Sequence, residues 1–349
     1  MKQQRGIALI AVLLLVALMV IIGTEVMFRQ DRYFARTESL VGWDQRYQYA
    51  MAAEVVALRA LNDDLAQDRN HSVLTDDCVN DFWAVNLPPT PYENAWITAS
   101  VQDLQGRFNL NSLVVQNGET FERNPTAYQR LVNLLQQLLE SPREAELLAS
   151  ELSDWIDSNN LVDDIQGAED GDYRWRRTPN IPIAHESEFR AIKSFRADSF
   201  KEPEYWGLFA ALPVGTKLNV NTASSLVLDA YFADTVGDVG TKYVMEQREK
   251  GAIEDLAQLF ANGPFGALDE EVQQELREAF SVRTDYFQVM VEVKTGQQSQ
   301  RLVTRVQRKE SGDIRVYSRQ LVPRLMPMEP ACNPFYYVQS EEEGSGVND

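Results

Sequence analysis

Lys2-Gln3-Gln4-Arg5-Gly6 runs directly into Ile7-Ala8-Leu9-Ile10-Ala11-Val12-Leu13-Leu14-Leu15-Val16-Ala17-Leu18-Met19-Val20-Ile21-Ile22, sixteen residues without a polar side chain. The charge precedes the apolar run, and nothing after the run looks like a processing site. A cleaved secretory signal needs a small-x-small pattern, which Gly23-Thr24-Glu25-Val26-Met27-Phe28 does not offer. A lipoprotein signal needs a cysteine there. As an ordinary anchor, sixteen helical residues reach about 24 Å, short of a ~30 Å hydrocarbon core.

The helical pattern continues past Gly23. Tyr47, Met51, Val55, Leu58 and Leu65 recur at spacings of three, four and seven, which predicts one apolar stripe, with Gly42 a candidate bend. Beyond it the order of elements predicts an α+β fold. Ala95 to Val101 reads as a strand and Gly106 to Asn111 as a second. Far downstream Phe287, Val289, Val291 and Val293 alternate with polar residues, the period of a half-buried strand. Arg301 to Arg308 and Ile314 to Gln320 complete an antiparallel meander, turning at Ser311-Gly312-Asp313. Between the two groups of strands the pattern is helical. Leu131, Leu134, Leu135, Leu138 and Leu139 form a stripe after Asn124-Pro125, and Ser141-Pro142-Arg143-Glu144 reads as a capping box with proline at the first helical position.

Composition narrows the function. The 349 residues are 44% hydrophobic and 24% charged, ordinary for a folded protein, but the net charge is −19. Such a surface repels phosphate and favours divalent cations and basic protein faces. Two cysteines, Cys78 and Cys332, and two histidines, His71 and His185, cannot assemble a zinc cluster or a CxxC motif. The cysteines are either two buried thiols or one disulfide in an oxidising compartment, and their loop-like polar surroundings favour the bridge. His185, after Pro182, reads as part of a turn entering a helix of Phe189, Ile192 and Lys193, in a capping or surface role. No triad accompanies it.

From Glu144 to Asp172 ten carboxylates occur without a basic residue. The densest parts are Asp154-Trp155-Ile156-Asp157-Ser158-Asn159-Asn160 and Gly167-Ala168-Glu169-Asp170-Gly171-Asp172-Tyr173. Oxygen donors on glycine-bearing loops suit calcium, although the EF-hand spacing is absent. The competing readings are a solvated acidic face and a pair of catalytic carboxylates. A second constellation, Asn219-Val220-Asn221-Thr222-Ala223, then Val236-Gly237-Asp238-Val239-Gly240, then Arg248, resembles a helix-hairpin-helix. Asp234 and Asp238 beside its turn argue against a phosphate ligand.

The amino terminus resembles a type IV prepilin leader cut between Gly6 and Ile7, with Ile7 in place of the usual phenylalanine. Ala11 stands at the fifth mature position, where pilins carry glutamate. Together with Asp103-Leu104-Gln105-Gly106-Arg107-Phe108-Asn109-Leu110-Asn111 and Leu218-Asn219-Val220-Asn221-Thr222-Ala223-Ser224, this narrows the resemblance to the K-type minor pseudopilins (general secretion pathway protein K family) of type II secretion.

The resemblance implies a long amino-terminal helix packed on an antiparallel sheet, with a large all-α domain inserted between strands. It divides the chain into a leader (1–6), a transmembrane part (7–24), a pilin-like domain (25–111 and 283–340), the inserted domain (112–282) and a disordered acidic tail (341–349). It implies a non-enzymatic subunit at the pseudopilus tip that helps initiate assembly and protein export. It further implies a single pass through a Gram-negative inner membrane, with the bulk periplasmic. Implied partners are I-type and J-type minor pseudopilins along the Tyr47–Leu65 stripe, H-type and major pseudopilins below, and prepilin peptidase, with no nucleic acid. Calcium is implied at Asp157, Asn159, Glu169, Asp170 and Asp172, with Asn159 where relatives often carry aspartate. The alternatives are a membrane-anchored calcium-dependent periplasmic hydrolase using Asp157 and Glu169, and a DNA-uptake protein.

Processing is directly testable. Mass spectrometry should find a mature terminus at Ile7, and Gly6→Val should leave the precursor uncut in the membrane. A mature terminus beyond residue 22 would contradict the leader.

Overall fold

The computed structural model describes residues 4–71, 73–85, 88–196, 199–200 and 203–323. Cys332 and the tail 341–349 lie outside them. Cys78 is disulfide-bonded.

One helix, α1 (Gln4–His71), covers the first 68 described residues, about 100 Å of rod, and passes through Gly42 without a break. Every residue from Leu9 to Ile22 is exposed. Among the described residues, only α1 is long and apolar enough to cross a membrane. The chain then builds β1 (Thr90–Tyr92), β2 (Ala95–Asp103), β3 (Phe108–Asn109) and the hairpin β4 (Val114–Asn117) and β5 (Thr120–Arg123). Helices α2 (Pro125–Leu138) and α3 (Pro142–Ile156) follow, then short strands β6 (Phe209–Ala210) and β7 (Leu218–Asn219). Next come α4 (Ser225–Phe232), α5 (Asp238–Lys250), α6 (Leu256–Phe260), α7 (Glu270–Ala279) and β8 (Phe280–Ser281). Strands β9 (Tyr286–Thr295), β10 (Gln298–Arg308) and β11 (Ile314–Val322) close the described chain.

The main sheet has the order β1-β2-β9-β10-β11, antiparallel throughout. The expected meander is present. Its inner face, Val101, Phe287, Val289, Val291, Val293, Leu302 and Val306, packs on Ala50, Ala57 and Leu61 of α1. The stripe expected through Val55 is corrected. Val55 is exposed, and the ridge that meets the sheet runs through Ala50, Glu54, Ala57 and Leu61. Small residues let the helix approach the sheet closely, and a buried carboxylate fixes its position. Glu54 accepts Arg319 Nη2 at 2.7 Å and Thr304 Oγ1 at 2.8 Å, joining α1 to β10 and β11.

The strand expected over Gly106–Asn111 is only two residues long. Asn109 Oδ1 accepts the Asn111 amide at 3.1 Å, an Asx turn that bends the chain into a 3-10 turn over Leu110–Leu113. Asn111 Nδ2 then donates to the carbonyls of Ile183 and Leu212. Phe108 and Leu110 thereby enter a second core that continues to Phe280 and includes the leucines of α2 and α3. This module is not all-helical as expected. It also contains the β4–β5 hairpin and the parallel pairs β3–β6 and β7–β8. The helix expected after His185 is a 3-10 turn, Glu186–Ala191, capped by His185 Nδ1, which accepts from the Ser187 amide.

The two segments that carry the resemblance, Asp103–Asn111 and Leu218–Ser224, meet at the base of the module. Asp103 is buried and accepts from Thr222 Oγ1, Thr284 Oγ1 (2.6 Å) and Asn219 Nδ2 (3.0 Å). A Cβ on Gly106 would lie 2.7 Å from Thr222 Oγ1, so this crossing accepts only glycine. Next to it, where α1 ends, the buried Arg308 donates to Asp76, Asp64 (3.1 Å) and the Leu61 carbonyl (3.0 Å). Asp76 also accepts the Thr284 amide at 2.8 Å. Burial and the neighbouring Asp76 push Asp64 up to about 7, and burial with Asp64 and Asp76 pushes Asp81 up to about 9.

Removing Arg308 would leave these carboxylates buried without their cation. Arg308→Ala should cost about 3–5 kcal/mol in urea unfolding of the detergent-solubilised chain. For Asp64 the folded state keeps a proton that the unfolded chain, at about 3.9, releases first. Its contribution is complete below about pH 4 and is lost as pH rises through about 7. Asp64→Asn should flatten the stability profile over that window. An unchanged profile would refute the assignment.

Candidate metal centre

Helix α3 delivers the acidic loop. Ser141 Oγ accepts the Glu144 amide at 3.4 Å and Pro142 begins the helix. The second half of the expected box is absent, because Glu144 accepts Ser199 Oγ instead. Asp154 and Asp157, three residues apart, fall together at the carboxyl end of α3, and both are fully buried. The chain then folds back over them. Asp154 accepts the amides of Ala168 (2.9 Å) and Asp163 (3.3 Å). A Cβ on Gly167 would lie 1.9 Å from Asp154 Oδ2, so glycine is required for this closure.

Carboxylate oxygens of Asp154, Asp157 and Asp163 lie within 4.8 Å of one another. Burial, then the charges of neighbouring carboxylates, raises Asp157 to about 7. Burial also carries Asp154 to about 7, against the amides that hydrogen-bond to it. Glu169 is raised by burial, partly offset by Thr178. Among the described residues, Asp157 Oδ1 and Glu169 Oε1 are buried without a hydrogen-bond partner. Orphaned carboxylate oxygens facing a cluster of their own sign fit a hard cation, which takes six to eight oxygens.

The expected ligands separate into two groups. Asp157 belongs to the cluster, and Glu169, outside that group, acts on it by charge. Asn159 lies beside it, its amide donating to Asp157 at 2.7 Å and its oxygen accepting the Leu161 amide. Asp170 already accepts the Thr178 amide and hydroxyl, and Asp172 is paired with Lys193 at 2.8 Å. Lys193 and the Glu169 amide lower the pKa of Asp172. Asp154 and Asp163 were missing from the expected set, although the three-residue spacing from Asp154 to Asp157 already put those two carboxylates on one helical face. Asp164 is excluded by its partners. Burial acts to raise its pKa, but the Gln166 amide, Ser150 and Arg123 outweigh that and lower it.

The hairpin between α4 and α5 is built for packing. Arg248 is buried and donates to the carbonyls of Val220 and Ala223, while Lys242 pairs with Asp238 at 2.8 Å. Neither cation is presented to a phosphate.

With this geometry in hand, comparison with known proteins is specific. The family described as "Type II secretion system (T2SS), protein K" matches residues 106–205. Type II secretion system protein K of Pseudomonas aeruginosa is 30% identical over 94% of this chain and 96% of its own length. That of Aeromonas hydrophila is 31% identical over 72% and 78%. Among solved structures, the crystal structure of the GspK-GspI-GspJ complex from enterotoxigenic Escherichia coli contains a similar chain. It superposes with a TM-score of 0.70 at 25% identity, covering 82% of this chain and 99% of that one. None of these matches supports a hydrolase. The α+β architecture agrees with that structure, and the chain belongs to the type II secretion system protein K family, minor pseudopilins of the machinery that transports proteins by type II secretion.

Proposed function

We propose that this subunit occupies the tip of the pseudopilus as a non-enzymatic initiator of assembly, stiffened by calcium. The observation that carries the reading is the unpartnered face of α1. Val55 and Val56 are exposed on the side of the helix that the sheet does not cover, and Leu40, Val41 and Trp43 are exposed on the stretch before α1 becomes buried. That face suits the amino-terminal helices of I-type and J-type pseudopilins, and the related GspK chain is found in a complex with GspI and GspJ. H-type and major pseudopilins pack below through the run Leu9–Ile22, which also anchors the chain in the inner membrane with its bulk in the periplasm. Prepilin peptidase cuts at Gly6–Ile7. Ala11 leaves no buried carboxylate in need of a subunit above, and the module beyond the end of α1 adds bulk there.

Calcium would be held by Asp154, Asp157, Asp163 and Glu169, with Asn159 and Asp170 at the margin. Its charge would neutralise a cluster whose members otherwise repel one another by roughly 1 kcal/mol per exposed pair at about 4 Å, and by more when buried. Asp154 and Glu169 bring α3 and the returning loop together, so a shared cation ties the loop to the module. Cys78 and Cys332 are proposed as the disulfide pair.

Assembly tests the first reading. Val55→Glu with Val56→Glu should weaken co-purification of the full chain with I-type and J-type pseudopilins by at least about tenfold, with the circular dichroism spectrum unchanged. Undiminished assembly would refute it. Thermal unfolding tests the second. At a hundredfold excess over Kd, calcium should add about 2.7 kcal/mol of stability and protect residues 154–173 from proteolysis. Asp157→Ala and Glu169→Ala should weaken both effects, whereas Glu146→Ala should not. Identical melting and digestion with and without calcium would end the calcium assignment.

A further inference from the structure

Arg174-Trp175-Arg176-Arg177 places three guanidiniums and an indole together on a chain whose net charge is −19, directly after its densest run of carboxylates. Trp175 is 87% exposed. The Arg174 guanidinium carbon lies 5.1 Å from the centre of the Trp175 ring, and that of Arg176 lies 5.8 Å from Tyr173 and 6.0 Å from Trp155. Arg177 approaches a carboxylate, Asp170, at only 3.9 Å and is largely exposed. Arg174 and Arg176 form no ion pair among the described residues.

The stretch is clamped at both ends. Tyr173 packs edge-on to Trp155 at 5.2 Å, and Thr178 is held by Glu169 and Asp170. Asn180 Nδ2 donates to the Asn159 carbonyl (2.6 Å) and to Asn160 (2.8 Å), and the residues that follow each partner, Ile181 and Leu161, are exposed. Stacked guanidiniums are already oriented for paired hydrogen bonds to carboxylates. Tryptophan and arginine are the residues that most often dominate binding energy at protein interfaces.

We propose that Arg174–Arg177, with Leu161 and Ile181, forms a docking surface for an acidic protein segment. Its carboxylates would engage the guanidiniums and an apolar side chain would lie against Trp175. Charge selects this occupant over an extended polyanion. A lipid surface or a nucleic-acid duplex would also meet the neighbouring carboxylates, within a Debye length of about 8 Å at physiological salt. A short acidic peptide meets fewer of them than an extended polyanion does. The chain's own membrane is out of reach as well. From Ile22 to Arg46, where α1 becomes buried, 24 helical residues span roughly 36 Å. The clamp at Tyr173 uses no side chain assigned to calcium, whereas Thr178 and Asn180 are held through Glu169, Asp170 and Asn159, which the calcium assignment shares.

The test uses the full chain in detergent and a short fluorescent peptide rich in Asp and Glu with one Phe, read by anisotropy. Wild type should bind it in a salt-sensitive way. Trp175→Ala and the triple variant R174Q/R176Q/R177Q should each weaken binding by about tenfold or more, with circular dichroism unchanged. The triple Lys variant R174K/R176K/R177K, which keeps charge but loses the planar fork, should fall between. No binding by wild type, or equal binding by wild type and variants, overturns the proposal. It is also overturned if phosphatidylglycerol vesicles or a DNA duplex bind wild type more tightly than the peptide and lose that binding in the same variants.

Discussion

The parts of the fold are oriented against one another where Arg308 is buried between Asp76 and Asp64. Four parts of the chain end there: α1, the returning loop that carries Asp76, strand β10, and the segment from β8 that supplies Thr284. Two buried carboxylates and one guanidinium in a low-dielectric site gain little net stability over an apolar cluster. They gain direction, since each partner accepts only a restricted geometry. The neighbouring Asp103 with Asn219, Thr222 and Thr284 extends this polar contact into the inserted module. The helix that anchors the subunit and the module that crowns it are therefore oriented by the same few side chains.

Local pattern gave away the elements whose period is set locally. Alternating valines announced β9, and proline after a polar cap announced α2 and α3. The face of α1 was not legible. Val55 looked like core and Ala50 did not, yet the sheet selects alanine because it must come close. Glu54 could not be read as a partner of Arg319, 265 residues away. The landmark around Asn109 and Asn111 looked like a strand because its residues alternate. Its asparagines instead spend their hydrogen bonds bending the backbone, and only tertiary contacts with Leu212 and Ile183 reveal that.

The acidic cluster was legible as a region, but which of its carboxylates are buried together was not. Charge density pointed to the 29 residues from Glu144 to Asp172, which include the clustered Asp154, Asp157 and Asp163. What sequence could not supply was which carboxylates were already satisfied. Lys193 and Thr178 neutralise or hydrogen-bond Asp172 and Asp170, and neither contact follows from spacing. Burial separates the remainder, because a carboxylate that cannot reach water must find a proton, a donor or a cation. Asp154 and Asp157 fall into that class because α3 ends facing inward.

The inserted module leaves the sheet and returns to it at neighbouring points. Leu104 donates its amide to Tyr286, and Asp285 donates its own to Gln105. Strands β2 and β9 are paired residue for residue up to Asp103 and Phe287, so the sheet closes over the gap without help from what lies between. For a segment whose ends are already joined, doubling its length adds only about 0.6 kcal/mol of closure entropy. The excursion can thus lengthen, shorten or exchange its outer loops while the register of the sheet stays fixed. Relatives that share the rod and the sheet are free to diversify the crown.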